Sequence, residues 1–134
     1  MIKEIHVVGA AIKDGNRILA ARRSSRMKSP LKWEFVGGKV ESGETHQQAL
    51  KREVQEELGV GIDVKGFVAE GCSEDGERKI VLHIYEAVII EGEPAATEHD
   101  EIRWVDIRDL NELEWAEADI PACRELVKRY GGFL

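Results

Sequence analysis

The order of elements along the chain predicts a mixed α/β fold in which one β-sheet lies between two helices. Three strand-like segments come first, followed by one well-delimited helix, three more strand-like segments and a last helix. Such an order places helices on the faces of a sheet. The 134 residues suit one hydrophobic core and contain neither a repeat nor a linker. We therefore expect residues 1–134 to form a single domain.

The N-terminal segments are predicted to form a β-hairpin followed by a short strand. Residues 4–12 and 17–22 are rich in aliphatic residues, and Asp14-Gly15-Asn16 between them is a strong turn signal. A third strand is predicted over 33–36, and Gly37-Gly38 after it is expected to begin a loop.

The helix in the middle of the chain has signals at both of its ends. Thr45 is a good N-cap, and Gln48 three residues later completes a capping box. Gly59 suits the left-handed position that follows a helix. The sequence therefore predicts a helix from about Thr45 to Leu58.

The C-terminal half is predicted to contain three more strands and a last helix. Residues 64–72, 79–90 and 102–105 are strand-like, and the second of these is apolar at both alternating sets of positions. We expect that strand to be central and covered on both faces. Asp119 is expected to cap the last helix, with Pro121 in its first turn.

Composition and charge restrict the classes of function. The net charge of −7 argues against binding to nucleic-acid backbone or anionic membrane, although a phosphorylated ligand could bind through metal ions. No apolar run approaches the ~20 residues of a membrane span, and no signal peptide is evident, so a cytoplasmic protein is expected. Cys72 and Cys123 are expected to be buried free thiols, and the histidines show no ligand spacing. The size suits a monomer or a homodimer.

Three glutamates cluster on one face of the predicted helix. At about 100° per residue, Glu57 lies about 40° from Glu53 on one side and Glu56 about 60° on the other. Like charges at such spacings destabilise a helix. A solvated charged face is the general explanation of charge runs, whereas a hard divalent cation among the carboxylates would remove the repulsion.

The residues before the helix favour the metal-binding interpretation. Gly37-Gly38 lets the backbone approach a ligand closely and frees a carbonyl to bind a cation, and Lys39 can face a phosphate. A Gly-Gly pair alone is more often only a turn. Its fixed spacing from the acidic helix makes the combination specific.

The stretch from residue 38 to 60 resembles the conserved box of the Nudix hydrolase family. The matching positions are Gly38, Glu44, Arg52-Glu53-Val54, Glu56-Glu57, Gly59 and Val60. The approach to the box, Trp33 to Lys39, resembles MutT-type nucleoside triphosphate pyrophosphohydrolases. Glu98-His99 and the residues from Ala118 to Pro121 resemble the CTP pyrophosphohydrolase branch of that group.

The resemblance implies a fold, a cofactor and a set of site residues. The fold is a mixed sheet between helices with a loop-helix-loop box, and the cofactor is Mg²⁺, or Mn²⁺ in its place. The implied metal ligands are Glu53, Glu56, Glu57 and a carbonyl of Gly37 or Gly38, with Glu98 approaching the metal from outside the box. Arg52 would orient a glutamate, Glu44 would brace the loop, and Lys39 and Arg23 would touch phosphates.

We hypothesise that water attacks the β-phosphorus of a nucleoside triphosphate, giving the monophosphate and pyrophosphate. The general base is Glu53 or Glu98, and for Glu98 an ordinary solvated acidic turn is an equal alternative. Asp119 could accept a hydrogen bond from a base, and Arg78 could neutralise a phosphate. Phe35, Leu82, Val8 and Ile80 could line a slot for the base, although each is more simply a core residue.

Three functions remain open at the sequence level. The first is a sanitising pyrophosphatase for oxidised, non-standard or cytidine nucleotides. The second is hydrolysis of ADP-ribose, a dinucleoside polyphosphate or a capped RNA end. The third is a nucleotide sensor without catalysis, which would be expected to lose a box glutamate, whereas here all three are present.

Overall fold

The computed structural model describes residues 2–27 and 30–132, and seven strands in these ranges form one sheet between two helices. The strands are β1 (Lys3–Asp14), β2 (Arg17–Arg22), β3 (Trp33–Glu34), β4 (Val36–Lys39), β5 (Gly61–Glu74), β6 (Arg78–Glu91) and β7 (Glu101–Asp106). The helices are α1 (His46–Leu58) and α2 (Ile120–Tyr130), with short 3₁₀ helices at Ile107–Glu112 and Glu117–Asp119. The predicted α/β architecture is confirmed.

The strand pairing makes β1 and β6 the centre of the sheet. β6 runs parallel to β1, with Val8 opposite His83, and antiparallel to β5 on its other edge. β4 pairs with β1. β2 pairs with the end of β1 through Lys13 and Ile18, and also with β3 and β7. The predicted hairpin and the central position of the 79–90 strand are both confirmed.

Each face of the sheet packs against one helix. The core between the sheet and α1 includes Val8, Ala10, Ile12 and Val36 of the strands and Leu50, Val54 and Leu58 of the helix. The core on the α2 side includes Phe35, Leu82, Ile84 and Trp115, with Ala122 and Leu126 of the helix. Successive strand residues point to opposite faces, so this division follows from the period of two. The expected slot is therefore wrong in joining Val8 to Phe35 and Leu82, because the sheet separates them.

Three further sequence expectations are wrong. Gly37 and Gly38 do not begin a loop, since they lie inside β4 opposite Gly9 and Val8. The predicted 33–36 strand divides at Phe35, where the chain passes from pairing with β2 to pairing with β1. Cys123 is buried as expected, but Cys72 is exposed, and both thiols are free.

Among the described residues, no helix is long and apolar enough to cross a membrane.

Candidate active site

The acidic face of α1 is oriented by the way the helix is capped and packed. Thr45 Oγ1 accepts a hydrogen bond from the Gln48 N–H at 3.1 Å, and Gln48 Oε1 accepts one from the Thr45 N–H at 2.9 Å. Gly59 ends the helix with φ of 72°. The buried residues are Ala49, Leu50, Val54 and Leu58. With that side held in the core, Glu56 is exposed, while Glu53 and Glu57 are half-buried against the neighbouring strand and loop.

Arg52 connects the acidic face to the preceding loop. Its Nε and Nη2 donate to the two carboxylate oxygens of Glu44 at 2.8 and 2.9 Å. Its Nη1 donates to Glu53 Oε1 at 2.7 Å, and Nη2 also donates to the Lys39 carbonyl at 3.1 Å. The hydrogen bond from Arg52, followed by that from the Glu41 N–H, lowers the pKa of Glu44 to about 2. Arg52 therefore links Glu53 of the helix to Glu44 and Lys39 of the preceding segment.

The two glycines of β4 are required by close approach. An added Cβ on Gly37 would overlap the carbonyl group of Val8 on the paired strand. An added Cβ on Gly38 would lie 2.8 Å from Glu53 Oε1 and closer still to the rest of that carboxyl group. Real Cβ atoms do not make such contacts, so β4 passes directly beside the Glu53 carboxylate because Gly38 has no side chain.

Gly38→Ala is expected to lower kcat/KM by about 100-fold while the fold is retained. The added methyl group meets only the flexible end of Glu53, which can move away, and misplacement of a reacting group by about 1 Å has an effect of that size. Steady-state kinetics and thermal unfolding would test this. Gly66→Ala is the matched control, because an added Cβ there has no atom within 4 Å among the described residues. Equal activity of the two variants would contradict the prediction.

The Oε2 carboxylate oxygen of Glu57 is buried and has no hydrogen-bond partner among the described residues. Burial raises the pKa of Glu57 to about 7; the charge of His99 partly offsets this shift, and the charges of Glu53, Glu34 and Glu98 add to it. A buried carboxylate without a partner is unfavourable, so this position calls for a proton or a cation.

The acidic cluster fits a divalent cation. In residues 2–27 and 30–132, no three His, Cys, Asp or Glu side chains already converge at metal-binding distance. The donors are nevertheless oxygen atoms, as Mg²⁺ prefers, and one of them is buried and lacks a partner. Glu57 also lies within electrostatic reach of Glu53 and Glu98. A cation bound here would relieve both the repulsion and the unpaired oxygen.

The loop between β6 and β7, residues 92–100, brings Glu98 to the acidic face. We call it the bridging loop. Thr97 Oγ1 donates to the Glu57 carbonyl at 2.9 Å, and the Ala95 N–H donates to the Leu58 carbonyl at 3.1 Å. These bonds satisfy carbonyls at the end of α1, where helices lack internal partners. Glu98 is exposed between these contacts and its buried neighbour His99, and its charge acts on Glu57.

The mutual contacts of three side chains beside the cluster had no signal in the sequence. Glu34 makes an ion pair with Arg23 Nη1 through Oε1, and its Oε2 lies 2.7 Å from His99 Nε2. The side chains of Arg23 and Glu34 are 22% and 18% exposed, and that of His99 is 1% exposed. The predicted phosphate ligand Arg23 is thus held by Glu34, which in turn contacts the bridging loop. The members are 11 and 65 residues apart, so no local spacing reveals them.

Asp119 occupies the N-cap position of α2, as expected, but its side chain does not cap the helix, which corrects the expected role of the carboxylate. Its side chain makes no capping hydrogen bond in the described part of the chain. Instead Oδ1 accepts from the Phe35 N–H at 2.9 Å, and Asp119 is 4% exposed. The break between β3 and β4 leaves that N–H in need of an acceptor. Burial raises the pKa of Asp119 well above its ordinary value, and the Phe35 hydrogen bond only partly opposes this.

Ionisation of Asp119 is expected to lower the free energy of unfolding of the unaltered chain between pH 5 and pH 8. In Asp119→Asn this loss should be smaller. The folded-state pKa of Asp119 is raised above the unfolded value, so its contribution to stability is complete below about pH 3.8 and is lost as the pH rises through the folded pKa. Asparagine does not titrate, and its oxygen can still accept from the Phe35 N–H. Urea unfolding in metal-free buffer would measure this, with exposed Asp109→Asn as the control. Parallel pH profiles for all three proteins would contradict the prediction.

The other expected substrate residues lie at different distances from the cluster. Phe35 is 3% exposed and stacks on Trp115 with ring centroids 4.8 Å apart, and Leu82 is 6% exposed in the same core. Lys39 is exposed at the end of β4. Arg78 pairs with Asp75 at 3.3 Å at the start of β6. Leu82 lies four positions further along β6 than Arg78, about 13 Å away, so Arg78 is distant from Leu82.

Comparison with known proteins places the chain in a family. The NUDIX domain model matches residues 4–126. The chain is 38% identical over 120 residues to the CTP pyrophosphohydrolase of Escherichia coli (strain K12), covering 90% of this chain and 89% of the relative. It is 33% identical over 119 residues to the 8-oxo-dGTP diphosphatase of the same strain, covering 89% and 92%. The solution structure of a MutT protein of the Nudix hydrolase family from methicillin-resistant Staphylococcus aureus 252 superposes with a TM-score of 0.80, with 42% identity over 96% of this chain and 99% of that one.

The chain therefore belongs to the Nudix hydrolase family and is an enzyme. Its sheet and helices have the fold of MutT structures. Nudix hydrolases generally use divalent metal ions, which agrees with the oxygen-rich character of the α1 cluster. The resemblance stated from the box residues is confirmed.

Proposed function

We propose that this chain, acting as a single domain over residues 1–134, is a Mg²⁺-dependent nucleoside triphosphate pyrophosphohydrolase. It converts oxidised or otherwise modified purine nucleotides, or cytidine nucleotides, to the monophosphate and pyrophosphate. Its role is to remove such nucleotides from the cytoplasmic pool. The observation that carries the proposal is the buried Oε2 of Glu57 in the carboxylate cluster, which has no hydrogen-bond partner within residues 2–27 and 30–132. The relatives named for CTP and 8-oxo-dGTP support the substrate class.

The chain offers several oxygen donors for the cofactor. Glu53, Glu56 and Glu57 would hold Mg²⁺, or Mn²⁺, together with a carbonyl of Gly37 or Gly38 and with Glu98. When bound, the cation neutralises charge on the phosphate oxygens and makes a water molecule more acidic. Arg52 holds Glu53 on one side, and the absence of a side chain at Gly38 leaves room for its carboxylate on the other.

The reaction that suits these residues is attack of water on the β-phosphorus. The water oxygen forms a bond to that phosphorus, and the bond from the phosphorus to the oxygen bridging the α-phosphate breaks. The monophosphate leaves with the bridging oxygen, and pyrophosphate contains the new oxygen. Glu53 or Glu98 accepts the proton of the water. Glu98 is exposed and belongs to the bridging loop and not to α1, so its carboxylate can reach a water on the open side of the cluster.

Substrate recognition is divided between two groups of residues. Arg23 and Lys39 contact phosphates, and a contact that is equally strong in the bound substrate and the transition state lowers KM without raising kcat. Phe35, Leu82 and Asp119 form the wall that faces the base. Because Asp119 Oδ1 already accepts from the Phe35 N–H, a base would meet Oδ2. Arg78 can contact a phosphate only in a substrate that extends along β6.

A substrate panel in H₂¹⁸O tests the proposal. Triphosphates of cytosine, 5-substituted cytosine, guanine and 8-oxo-guanine would be compared with ADP-ribose and a dinucleoside polyphosphate, with and without Mg²⁺. We expect Mg²⁺-dependent release of pyrophosphate that contains ¹⁸O, and an unlabelled monophosphate. Release of inorganic phosphate without pyrophosphate would exclude attack at the β-phosphorus. Preference for ADP-ribose or a dinucleoside polyphosphate would favour that alternative, and nucleotide binding without turnover would favour a sensor.

A further inference from the structure

The bridging loop carries a buried histidine beside the acidic cluster that the proposed mechanism does not use. His99 is 7% exposed, whereas its neighbours Glu98 and Asp100 are exposed. A single inward side chain in an otherwise solvated loop needs a physical reason. Burying an imidazole is unfavourable unless its nitrogen atoms have partners.

The contact of His99 with Glu34 provides that reason. His99 Nε2 lies 2.7 Å from Glu34 Oε2, and an ionised carboxylate only accepts hydrogen bonds, so Nε2 is the donor. Nδ1 has no hydrogen-bond partner in the part of the chain that the structure describes. Burial lowers the pKa of His99, and the hydrogen bond and charge of Glu34, with the charge of Glu57, outweigh that effect and raise it.

Glu34 has one oxygen for each of two neighbours. Oε2 accepts from His99, and Oε1 pairs with the guanidinium of Arg23. The carboxylate is 18% exposed and lies at the end of β3, directly before the strand break at Phe35. If His99 did not hold Oε2, the carboxyl group could rotate, and Arg23 would lose a fixed partner.

The backbone around His99 is held from two directions. Thr97 Oγ1 donates to the Glu57 carbonyl at the end of α1, and the Asp100 N–H donates to the Arg22 carbonyl at 3.0 Å at the end of β2. Arg22 and Asp100 also form an ion pair at 3.1 Å. These contacts hold the segment that carries the imidazole, and the charges of Glu34 and Glu57 both act on it.

We propose that His99 is a positioning residue for substrate binding, which acts through Glu34 on the Arg23 guanidinium. The proposal rests on the proposed function, because Arg23 is there a phosphate contact. His99 touches neither the substrate nor the attacking water. A contact that Arg23 makes equally with bound substrate and transition state changes KM and leaves kcat. Loss of His99 therefore affects KM.

Two amide variants separate the hydrogen bond from mere filling of space. The amide nitrogen of Gln can occupy the place of Nε2. The Asn side chain is shorter, so its amide nitrogen corresponds to Nδ1. We expect His99→Asn to raise KM for CTP or 8-oxo-dGTP about 10-fold, as outer partners of site residues do, with kcat within about 3-fold. His99→Gln is expected to stay near the unaltered enzyme in both. Glu93→Gln, at an exposed position of the same loop that the argument does not use, is the control for substitution in the loop.

A second measurement does not depend on turnover or metal. The dissociation constants of CMP and 8-oxo-dGMP in EDTA, measured by calorimetry, should rise about 10-fold in His99→Asn and stay near the original in His99→Gln. The Arg23→Leu/His99→Asn double variant should bind no more weakly than Arg23→Leu alone, because His99 acts through Arg23. Additive losses, equal losses in Glu93→Gln, or equal behaviour of the two amide variants would overturn the proposal.

The outcomes also separate this inference from the proposed function. If the unaltered enzyme hydrolyses none of the triphosphates but binds a monophosphate, the proposed function is wrong, and the amide variants still decide the role of His99. If it hydrolyses triphosphates and the amide variants match each other, only the role of His99 is wrong. Absence of both hydrolysis and monophosphate binding would contradict both.

Discussion

Glu57→Gln is expected to lower kcat/KM at least ~100-fold, because loss of one charged ligand weakens cation binding and the charge neutralisation that phosphoryl chemistry needs. Its melting temperature in metal-free buffer should be unchanged or higher. The buried Oε2 lacks a partner among the described residues, so an uncharged amide removes an unfavourable charge from the acidic face. Added Mg²⁺ should raise the melting temperature of the unaltered enzyme and have less effect on the variant.

Glu41→Gln is the matched control for this prediction. Glu41 belongs to the loop before α1, and its side chain is 68% exposed. Its carboxylate makes a long contact of 3.9 Å with Arg52 Nη2. We expect its kcat/KM to remain within about 3-fold of the original, as surface changes usually do little. A large drop in melting temperature of Glu57→Gln without metal would show that the carboxylate is a structural group, and the metal interpretation of the cluster would then be wrong.

Arg52→Lys is expected to lower kcat/KM by about 10- to 100-fold, even though the charge is kept. The guanidinium makes two parallel hydrogen bonds to Glu44, one to Glu53 and one to the Lys39 carbonyl. An ammonium group cannot reproduce this planar arrangement. Glu53 would lose its fixed orientation and the loop its link to the helix. Steady-state kinetics with Mg²⁺ titration would measure the loss.

Arg108→Lys provides a control of the same chemistry elsewhere in the chain. Arg108 makes a two-point ion pair with Asp106 at 2.8 and 3.0 Å, and its side chain is 51% exposed. Activity of that variant should be unchanged. If Arg52→Lys were equally harmless, the bonds of Arg52 to Glu44 and Glu53 would have no part in catalysis, and Arg52 would be only one more surface cation.

The features that sequence predicted well are local ones. The capping box of Thr45 and Gln48 and the left-handed Gly59 depend on residues within one turn, and the structure has all three. The acidic face of α1 follows from the helical period once its ends are known. The family followed from the box, whose residues also lie within one short stretch. In each case the interacting residues are close in sequence, so their spacing contains the information.

The errors and omissions concern long-range contacts. A Gly-Gly pair resembles a turn, but pairing with β1 makes it part of a strand. Asp119 resembles a helix cap, but its side chain accepts a hydrogen bond from the Phe35 N–H, 84 residues away. His6, His46 and His83 have no common spacing, yet two of their ring nitrogens, His6 Nδ1 and His83 Nε2, lie 2.9 Å apart, and the rings of His46 and His83 lie 4.5 Å apart. Such contacts depend on which strands become neighbours.

The sequence by itself determined the α/β class, the helix α1 with its three carboxylates on one face, and the Nudix reaction class, because helical period and motif spacing are properties of neighbouring residues. Only the tertiary structure decided why Gly38 must lack a side chain, which oxygen of the cluster is unpaired, and that His99 reaches Glu34. These depend on the approach of β4 to α1 and of the bridging loop to β3. Burial and pairing of a charge are set by neighbours from distant parts of the chain, and folding alone brings those together.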